Sequence, residues 1–378
     1  MRLSILIILS AALGLAAPAQ AQDAEDGASL VAAGQGLVAE QVPAAMAGAV
    51  DGFIRPGYRA FAEKAAAMAS IAPGLCEKPS AKGVAAFRAA FRETALAWAR
   101  IEIVRVGPVL DDNRFERILF FPDRKSLGLK QVQRLLAEKD ESATSAGTLK
   151  GKSVAVQGLG ALDFVLNGTG ADDLAKEPNG FRCRYGAAIA ANLAGLGQDL
   201  AAAWDAPDGV AKAWTQPGPG NPLYRTEREA ATELLGVLVH GVETLKDQRL
   251  RPFFAGTVDG KPDPGRPRLA LYWRSGLTIA AIRANVDGLK ALFDAARMDN
   301  LVPPADAPMA ASIRAVMSEF SASAAAADAP VEQILASEEG RMKLTQLLRH
   351  ANDLLQRLNL DFGAAMGLGA GFSFADGD

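Results

Sequence analysis

One stripe of large apolar side chains at helical spacing limits the fold of this chain more than any other feature. The stripe comprises Phe87, Phe91, Thr94, Trp98 and Ile101. Their separations of three and four residues place them on one face of a helix, which we predict to span residues 80–106. Leucine and alanine stripes recur elsewhere, whereas alternating β-branched runs are almost absent. The sequence therefore predicts an all-α protein whose helices each bury an apolar face.

The first residues have the form of a cleavable export signal. Met1 and Arg2 form a short positive start, an apolar run covers residues 3–17, and Ala19-Gln20-Ala21 is a small-x-small cleavage site. The apolar run is shorter than the ~20 residues that a membrane-spanning helix needs, and no later segment is long and apolar enough. We expect residues 1–21 to be a signal peptide, cleaved after Ala21, and the mature protein to be periplasmic.

A segment rich in helix breakers, residues 207–222, divides the mature chain. It contains the run Gln216-Pro217-Gly218-Pro219-Gly220-Asn221-Pro222, which is typical of a linker. At ~100–200 residues per domain, the chain is long enough for two. We predict a flexible lead-in over residues 22–40, an N-terminal helical domain over 41–210 and a C-terminal helical domain over 211–378.

Two cysteines, Cys76 and Cys183, are the full complement of the chain. In an oxidising compartment we expect them to form a disulfide, and the alternative is two separate buried thiols. The absence of a Cys-x-x-Cys motif excludes a haem attachment site and a thioredoxin-like redox site. A formal net charge of −3 argues against a nucleic-acid partner, which would require a basic face.

The segment 157–168 is the first candidate for a functional site, and its spacing predicts the middle and end of a helix. Gly160 and Asp163 sit three residues apart on a face beside a leucine face. Glycine inside a helix costs roughly 1 kcal/mol against alanine, so Gly158 and Gly160 need a packing or access reason. We expect the Asp163 carboxylate to line a groove left open by Gly160, and the alternative is a buried salt bridge that fixes helix register.

Arg105 continues the apolar stripe just before Gly107 and Pro108 end the predicted helix. One interpretation is a surface arginine whose stem covers apolar neighbours. The other is an inward-facing cation that pairs with a carboxylate of the protein or of a ligand. The partner of Asp163 could then be Arg105, Arg117 or Arg274.

The chain contains two histidines, His240 and His350. No His-Glu-x-x-His or Gly-x-Ser-x-Gly motif occurs, so neither a zinc protease helix nor a serine nucleophile elbow is supported. His240 and Glu243 lie three residues apart and could reach one metal ion from a bundle core, or simply bond to each other. We expect His350, beside a leucine face of the last long helix, to be structural.

Several motifs resemble those of the imelysin-like family. That family carries a Gly-x-His-x-x-Glu signature, and Gly158-Leu-Gly160-Ala-Leu-Asp163 has its register with glycine in place of histidine and aspartate in place of glutamate. The features that follow the family's order are Trp98, Arg105, Gly107-Pro108, Arg114, Arg117, Phe121-Pro122-Asp123 and the helix start Arg274-Ser275-Gly276. Ser275 is also a predicted helix N-cap.

The resemblance implies two four-helix-bundle-like domains, related by approximate pseudo-symmetry, with a polar site near their interface. The candidate ligand-binding residues are Asp163, Gly160, Trp98, Arg105, Arg117, Asp123, Arg274 and Ser275. It also implies a non-catalytic binding or accessory protein of iron or haem uptake, with a small anionic ligand or an envelope protein as partner. No cofactor is firmly implied, because glycine replaces the histidine of the signature.

Two alternatives remain open at this stage. A metal carrier or a metal-dependent hydrolase would use Asp163 with His240 and Glu243, and iron or another divalent metal would then be the cofactor. Since the chain shows no recognisable peptidase motif, we favour a protein without catalytic activity. The third interpretation is a structural or interaction module in which every charged residue above is paired within the protein.

Overall fold

Helices make up most of the protein, and no strand occurs in the described part of the chain, which confirms the all-α prediction. The computed structural model describes residues 36–123, 125–254 and 267–369. The predicted signal peptide and most of the predicted lead-in lie outside these ranges. Within them, no helix has the length and apolar character to cross a membrane.

The α-helices fall into two sequential sets. The first set is α1 (Val42–Ala49), α2 (Arg55–Glu77), α3 (Ala81–Ile101), α4 (Arg114–Ile118), α5 (Leu127–Glu138), α6 (Ala146–Leu149), α7 (Leu159–Asn167) and α8 (Phe181–Asp205). The second set is α9 (Val210–Thr215), α10 (Glu227–Glu243), α11 (Thr278–Ala295), α12 (Ala307–Ala326), α13 (Val331–Ala336), α14 (Glu338–Gln356) and α15 (Gly363–Ala365).

In the first set, α2 packs against both α3 and α8, and α7 packs on α8. The apolar stripe of α3 is buried as predicted, with Phe87 and Trp98 fully inaccessible. Gly197 of α8 allows a close approach to α2, because a Cβ atom there would lie 2.8 Å from the Cα atom of Ala62. The predicted disulfide is confirmed: Cys76 at the end of α2 is bonded to Cys183 at the start of α8.

In the second set, α11 packs against α12, α12 packs against α14, and α10 contacts α11 and α14. The two sets meet where α11 crosses α3 and where α1 packs against α9, α10 and α11. At that crossing a Cβ atom on Gly288 would lie 2.1 Å from the carbonyl oxygen of Arg100, so the two backbones touch. The described residues belong to one compact unit, and the boundary between 210 and 211 and the pseudo-symmetry stay predictions.

Two helical regions contain a break or an irregular turn. Helix α13 ends before Ser337, whose hydroxyl accepts a hydrogen bond of 3.0 Å from the amide of Gly340 and so begins α14. Before α2, a π-helical turn at Val50–Ile54 precedes Pro56, which lies in the first turn of α2. A further π-helical segment, Thr244–Leu250, extends α10.

Candidate functional site

The candidate signature lies at the start of a helix, so the prediction of a helix middle was wrong. Gly158 is the N-cap of α7. A Cβ atom on Gly158 would lie 2.4 Å from the carbonyl oxygen of Ile118, so the packing requires glycine there. A Cβ atom on Gly160 would meet nothing within 4 Å. The two glycines therefore serve different purposes, packing at Gly158 and access at Gly160.

Gly160 and Asp163 line a cavity of about 540 Å³, called here the Asp163 cavity. Its wall combines α7, the segment that leads into α5, the end of the π-helical extension of α10, and residues 268–274. The charged residues on the wall are Asp123, Asp163, Asp247, Arg251, Arg268 and Arg274. Carboxylates and guanidinium groups thus line one cavity of a size suited to a small molecule.

Asp163 is 3% exposed, and its surroundings have opposing effects on its pKa. Burial raises the pKa of Asp163 from 3.8 to about 6. Ser275, the positive charge of Arg274 and the amide of Asn167 oppose this shift. The Asn167 amide nitrogen lies 3.3 Å from the carboxylate. The predicted association of Asp163 with Arg274 and Ser275 is therefore present in the structure.

Arg274 is held between aromatic rings at the edge of the cavity. The centre of its guanidinium group lies 4.4 Å from the Trp273 ring centroid and 5.1 Å from that of Phe164. Burial lowers the pKa of Arg274, while the charge of Asp163 opposes that shift. Stacking on the rings fixes the orientation of the planar guanidinium group and leaves the N–H groups at its edge able to donate hydrogen bonds.

The raised pKa of Asp163 predicts a pH-dependent stability. In the folded state the carboxyl group holds its proton up to about pH 6, against 3.8 when unfolded. Burial of the ionised carboxylate lowers the free energy of unfolding. This loss is absent below pH 3.8, grows as the pH rises from 3.8 to about 6, and reaches about 3 kcal/mol above pH 6. Urea unfolding at pH 4 and at pH 7.5 tests this prediction. The free energy of unfolding of Asp163→Asn, relative to that of wild type, should rise by about that amount between the two pH values.

Asp172→Asn is the matched control, because Asp172 is exposed. Its stability difference from wild type should stay constant over the same pH interval. A constant difference for Asp163→Asn as well would show that the carboxylate is not desolvated.

Arg117 does not face Asp163, which corrects one expectation. It is 7% exposed. Its Nε donates to the side-chain oxygen of Gln157 at 3.0 Å, and its Nη2 donates to that of Asn192 at 3.2 Å. Burial among neutral partners lowers the pKa of Arg117. The residue ties α4 to α8 and to the segment before α7, so its role is structural.

Trp98 also belongs to the core. It is fully buried, its ring lies 5.2 Å from that of Phe61 and 5.4 Å from that of Phe115, and it does not line the Asp163 cavity. Arg105 donates to Glu116 at 2.9 Å and lies over Phe115, in the wall of a different cavity. Neither residue approaches the Asp163 cavity.

Asp123 and Ser275 have local roles beside the cavity. Asp123 lines it and accepts a hydrogen bond of 3.0 Å from the amide of Leu129, in the first turn of α5. Ser275 donates to the carbonyl oxygen of Tyr272 at 3.2 Å, and α11 begins only at Thr278, so Ser275 is not its N-cap. With Arg274 it lines an adjoining cavity of about 810 Å³.

His240 and Glu243 line a separate cavity of about 750 Å³, called here the His240 cavity. The Nδ1 atom of His240 lies 2.9 Å from a carboxylate oxygen of Glu243. Asp163 does not line this cavity, and within the described ranges no three histidine, cysteine or acidic residues are placed to hold a metal ion. The three-residue metal site proposed from the sequence does not form among the described residues.

His350 has the structural role that the sequence predicts. Its Nε2 lies 3.1 Å from the Ser323 hydroxyl and 3.0 Å from the Gln346 amide. Its ring stacks on Phe320, and burial lowers the pKa of His350. These contacts fix α14 against α12.

A buried polar cluster between the two cavities was missed by the sequence analysis. The carboxylate of Glu102 accepts from Arg249 at 3.1 Å and from Asn285 at 2.7 Å. The hydroxyl of Tyr272 is buried nearby without a hydrogen-bond partner among the described residues. Glu102 lies four residues after Trp98, so the apolar stripe could have indicated an inward carboxylate. Nothing in the spacing indicated its distant partners.

The family model described as Imelysin (peptidase M75) matches residues 54–358. No curated protein matches the chain.

Two solved structures share the fold. An imelysin-like protein from Psychrobacter arcticum 273-4 is 19% identical, with a TM-score of 0.72 and coverage of 88% of this chain and 98% of its own. A structure described as that of an iron-regulated protein A precursor, from Parabacteroides distasonis ATCC 8503, is 13% identical, with a TM-score of 0.69 and coverage of 86% and 95%. The family match covers most of the sequence, and the chain therefore belongs to the imelysin family.

Proposed function

We propose that this protein is exported to the periplasm, where it binds a small anionic ligand in the Asp163 cavity as a non-catalytic accessory of iron uptake. The association with iron rests on family membership and on the name of the iron-regulated protein A precursor that shares the fold. The observation that carries the ligand class is the group of arginines on the cavity wall.

The three arginines differ in how they are engaged. Arg251 pairs with Asp247 at 3.1 Å, and Arg274 lies beside the buried Asp163. Arg268 lies 5.5 Å from the Trp273 ring centroid and forms no ion pair with the described residues. Guanidinium groups recognise carboxylates and phosphates through paired hydrogen bonds. A ligand with more than one carboxylate would therefore complete the pairing of Arg268 and Arg274.

The probe for this proposal is citrate, with and without ferric ion. Calorimetric titration should give saturable binding to wild type and binding at least ten-fold weaker to Arg274→Gln, since a hydrogen bond to a charged group contributes about 1.5–3 kcal/mol. Arg92→Gln is the matched control, because Arg92 is exposed on α3 and lines none of the three cavities. Absence of binding, or equal binding by Arg274→Gln, would refute an anion site there.

The metal carrier remains the second candidate because of the His240–Glu243 pair. Metal analysis of protein isolated from the periplasm tests it directly. Stoichiometric metal that disappears in His240→Ala would replace the proposed function with a carrier role. Anion binding with no stoichiometric metal would support the proposal.

A further inference from the structure

The His240 cavity has an acidic wall that the proposed function does not use. Five acidic residues line it: Glu102, Glu229, Glu233, Glu243 and Asp247. Two arginines also line it, and both are held by other groups. Arg105 pairs with Glu116 at 2.9 Å, and Arg228 donates to the carbonyl oxygen of Gly367 at 2.7 Å. An acidic wall alone is an ordinary feature of a protein surface. Whether it can bind a ligand depends on the burial of each carboxylate and on the partners that it already has.

Glu233 is the carboxylate most available to a ligand. It is half-buried on the cavity face of α10 and forms no ion pair with the described residues. Burial raises the pKa of Glu233, and the nearby His240 opposes this shift. An unpaired acid in a partly desolvated position gains from an incoming positive charge, because Coulomb attraction is screened less there than in water.

Glu102 provides a second, independent indication. It is 5% exposed, and its Oε1 is engaged by Arg249 and Asn285. Its Oε2 is buried and accepts no hydrogen bond from the described residues, although the side chain lines the cavity. A buried carboxylate oxygen without a donor costs stability, and a bound donor would remove that cost.

The remaining wall favours an organic cation over a metal ion. Ile103, Val106, Val237 and the rings of Phe115 and Tyr224 contribute apolar surface between the acids. Apolar surface of this kind can pack against the methylene groups of a ligand, and the faces of aromatic rings attract its ammonium groups. The carboxylates do not converge into a metal-binding set within the described ranges.

We propose that the His240 cavity binds an alkyl polyamine, with one ammonium group at Glu233, another near the carboxylate of Glu102, and the methylene chain along the apolar wall. The cavity volume of about 750 Å³ lies within the ordinary range for small-molecule sites. Binding at this second site does not depend on the anion site in the Asp163 cavity.

Calorimetric titration with spermidine tests this site. Glu233→Gln keeps the shape of the side chain and breaks no ion pair, so the variant should fold with a melting temperature no lower than that of wild type and bind spermidine at least ten-fold more weakly. Glu93→Gln is the matched control, since Glu93 is exposed on α3 and lines none of the three cavities. It should bind as wild type does.

Three results would overturn the proposal: no binding of spermidine to wild type, equal weakening by both substitutions, or displacement of spermidine by an equal concentration of Mg²⁺. The last two would identify a general attraction of cations to an acidic protein. Citrate binding should be the same in wild type and Glu233→Gln, which separates failure of this site from failure of the anion site.

Discussion

Removal of the Cys76–Cys183 disulfide is expected to lower the free energy of unfolding by about 4–5 kcal/mol, one of the two largest effects that the structure predicts. The bond joins residues 107 positions apart in sequence. A cross-link over such a long loop excludes many conformations of the unfolded chain, which raises the free energy of that state. Urea unfolding of wild type and of the Cys76→Ala/Cys183→Ala double variant measures the difference.

Reductant supplies the control for this experiment. Dithiothreitol should shift the unfolding midpoint of wild type towards that of the double variant and should leave the double variant unchanged. Both cysteines are buried in the core, so alanine avoids placing a hydroxyl group there. If the unfolding midpoint of wild type stays unchanged after reduction of the disulfide has been verified, the packing of α2 against α8 is stable without the disulfide, which would contradict the prediction.

The helices could be predicted where their boundaries depend on nearby residues. The start of α3 agrees within one residue with the predicted span 80–106, and the stripe on α3 is buried as its spacing predicts. The start of α7 could not be predicted in this way. Gly158 lies against the carbonyl oxygens of Arg117 and Ile118, about forty residues earlier, and no local pattern reports such a contact.

The candidate site was predicted unevenly for a related reason. The resemblance to the imelysin-like family placed Asp163, Arg274 and Ser275 in one candidate site. Helical periodicity alone would not have paired residues so far apart in sequence. Trp98 and Arg117 lie away from the Asp163 cavity. An aromatic ring or a cation in a motif can equally well belong to the core, and the sequence alone does not separate the two cases. The sequence specifies neither which neutral partners satisfy Arg117 nor that Trp98 lies between two phenylalanine rings.

Replacement of Gly158 by alanine is the second large effect that we expect, a loss of about 3 kcal/mol or more, at the upper end for overpacking. A Cβ atom there would lie 2.4 Å and 2.6 Å from two carbonyl oxygens of the segment 117–118. These are backbone atoms, which cannot move aside as the end of a flexible side chain can. The φ angle of Gly158 is −113°, so the cost comes from the contact and not from backbone strain. Urea unfolding gives the value.

Gly160→Ala is the matched control, two residues along the same helix. Its Cβ atom meets nothing within 4 Å, and alanine is favoured over glycine inside a helix by up to about 1 kcal/mol, so this variant should be as stable as wild type or more stable. Gly160→His should also fold, because the side chain can enter the Asp163 cavity. Tolerance of Gly158→Ala, or equal losses in Gly158→Ala and Gly160→Ala, would contradict the assignment of packing to the first glycine and access to the second.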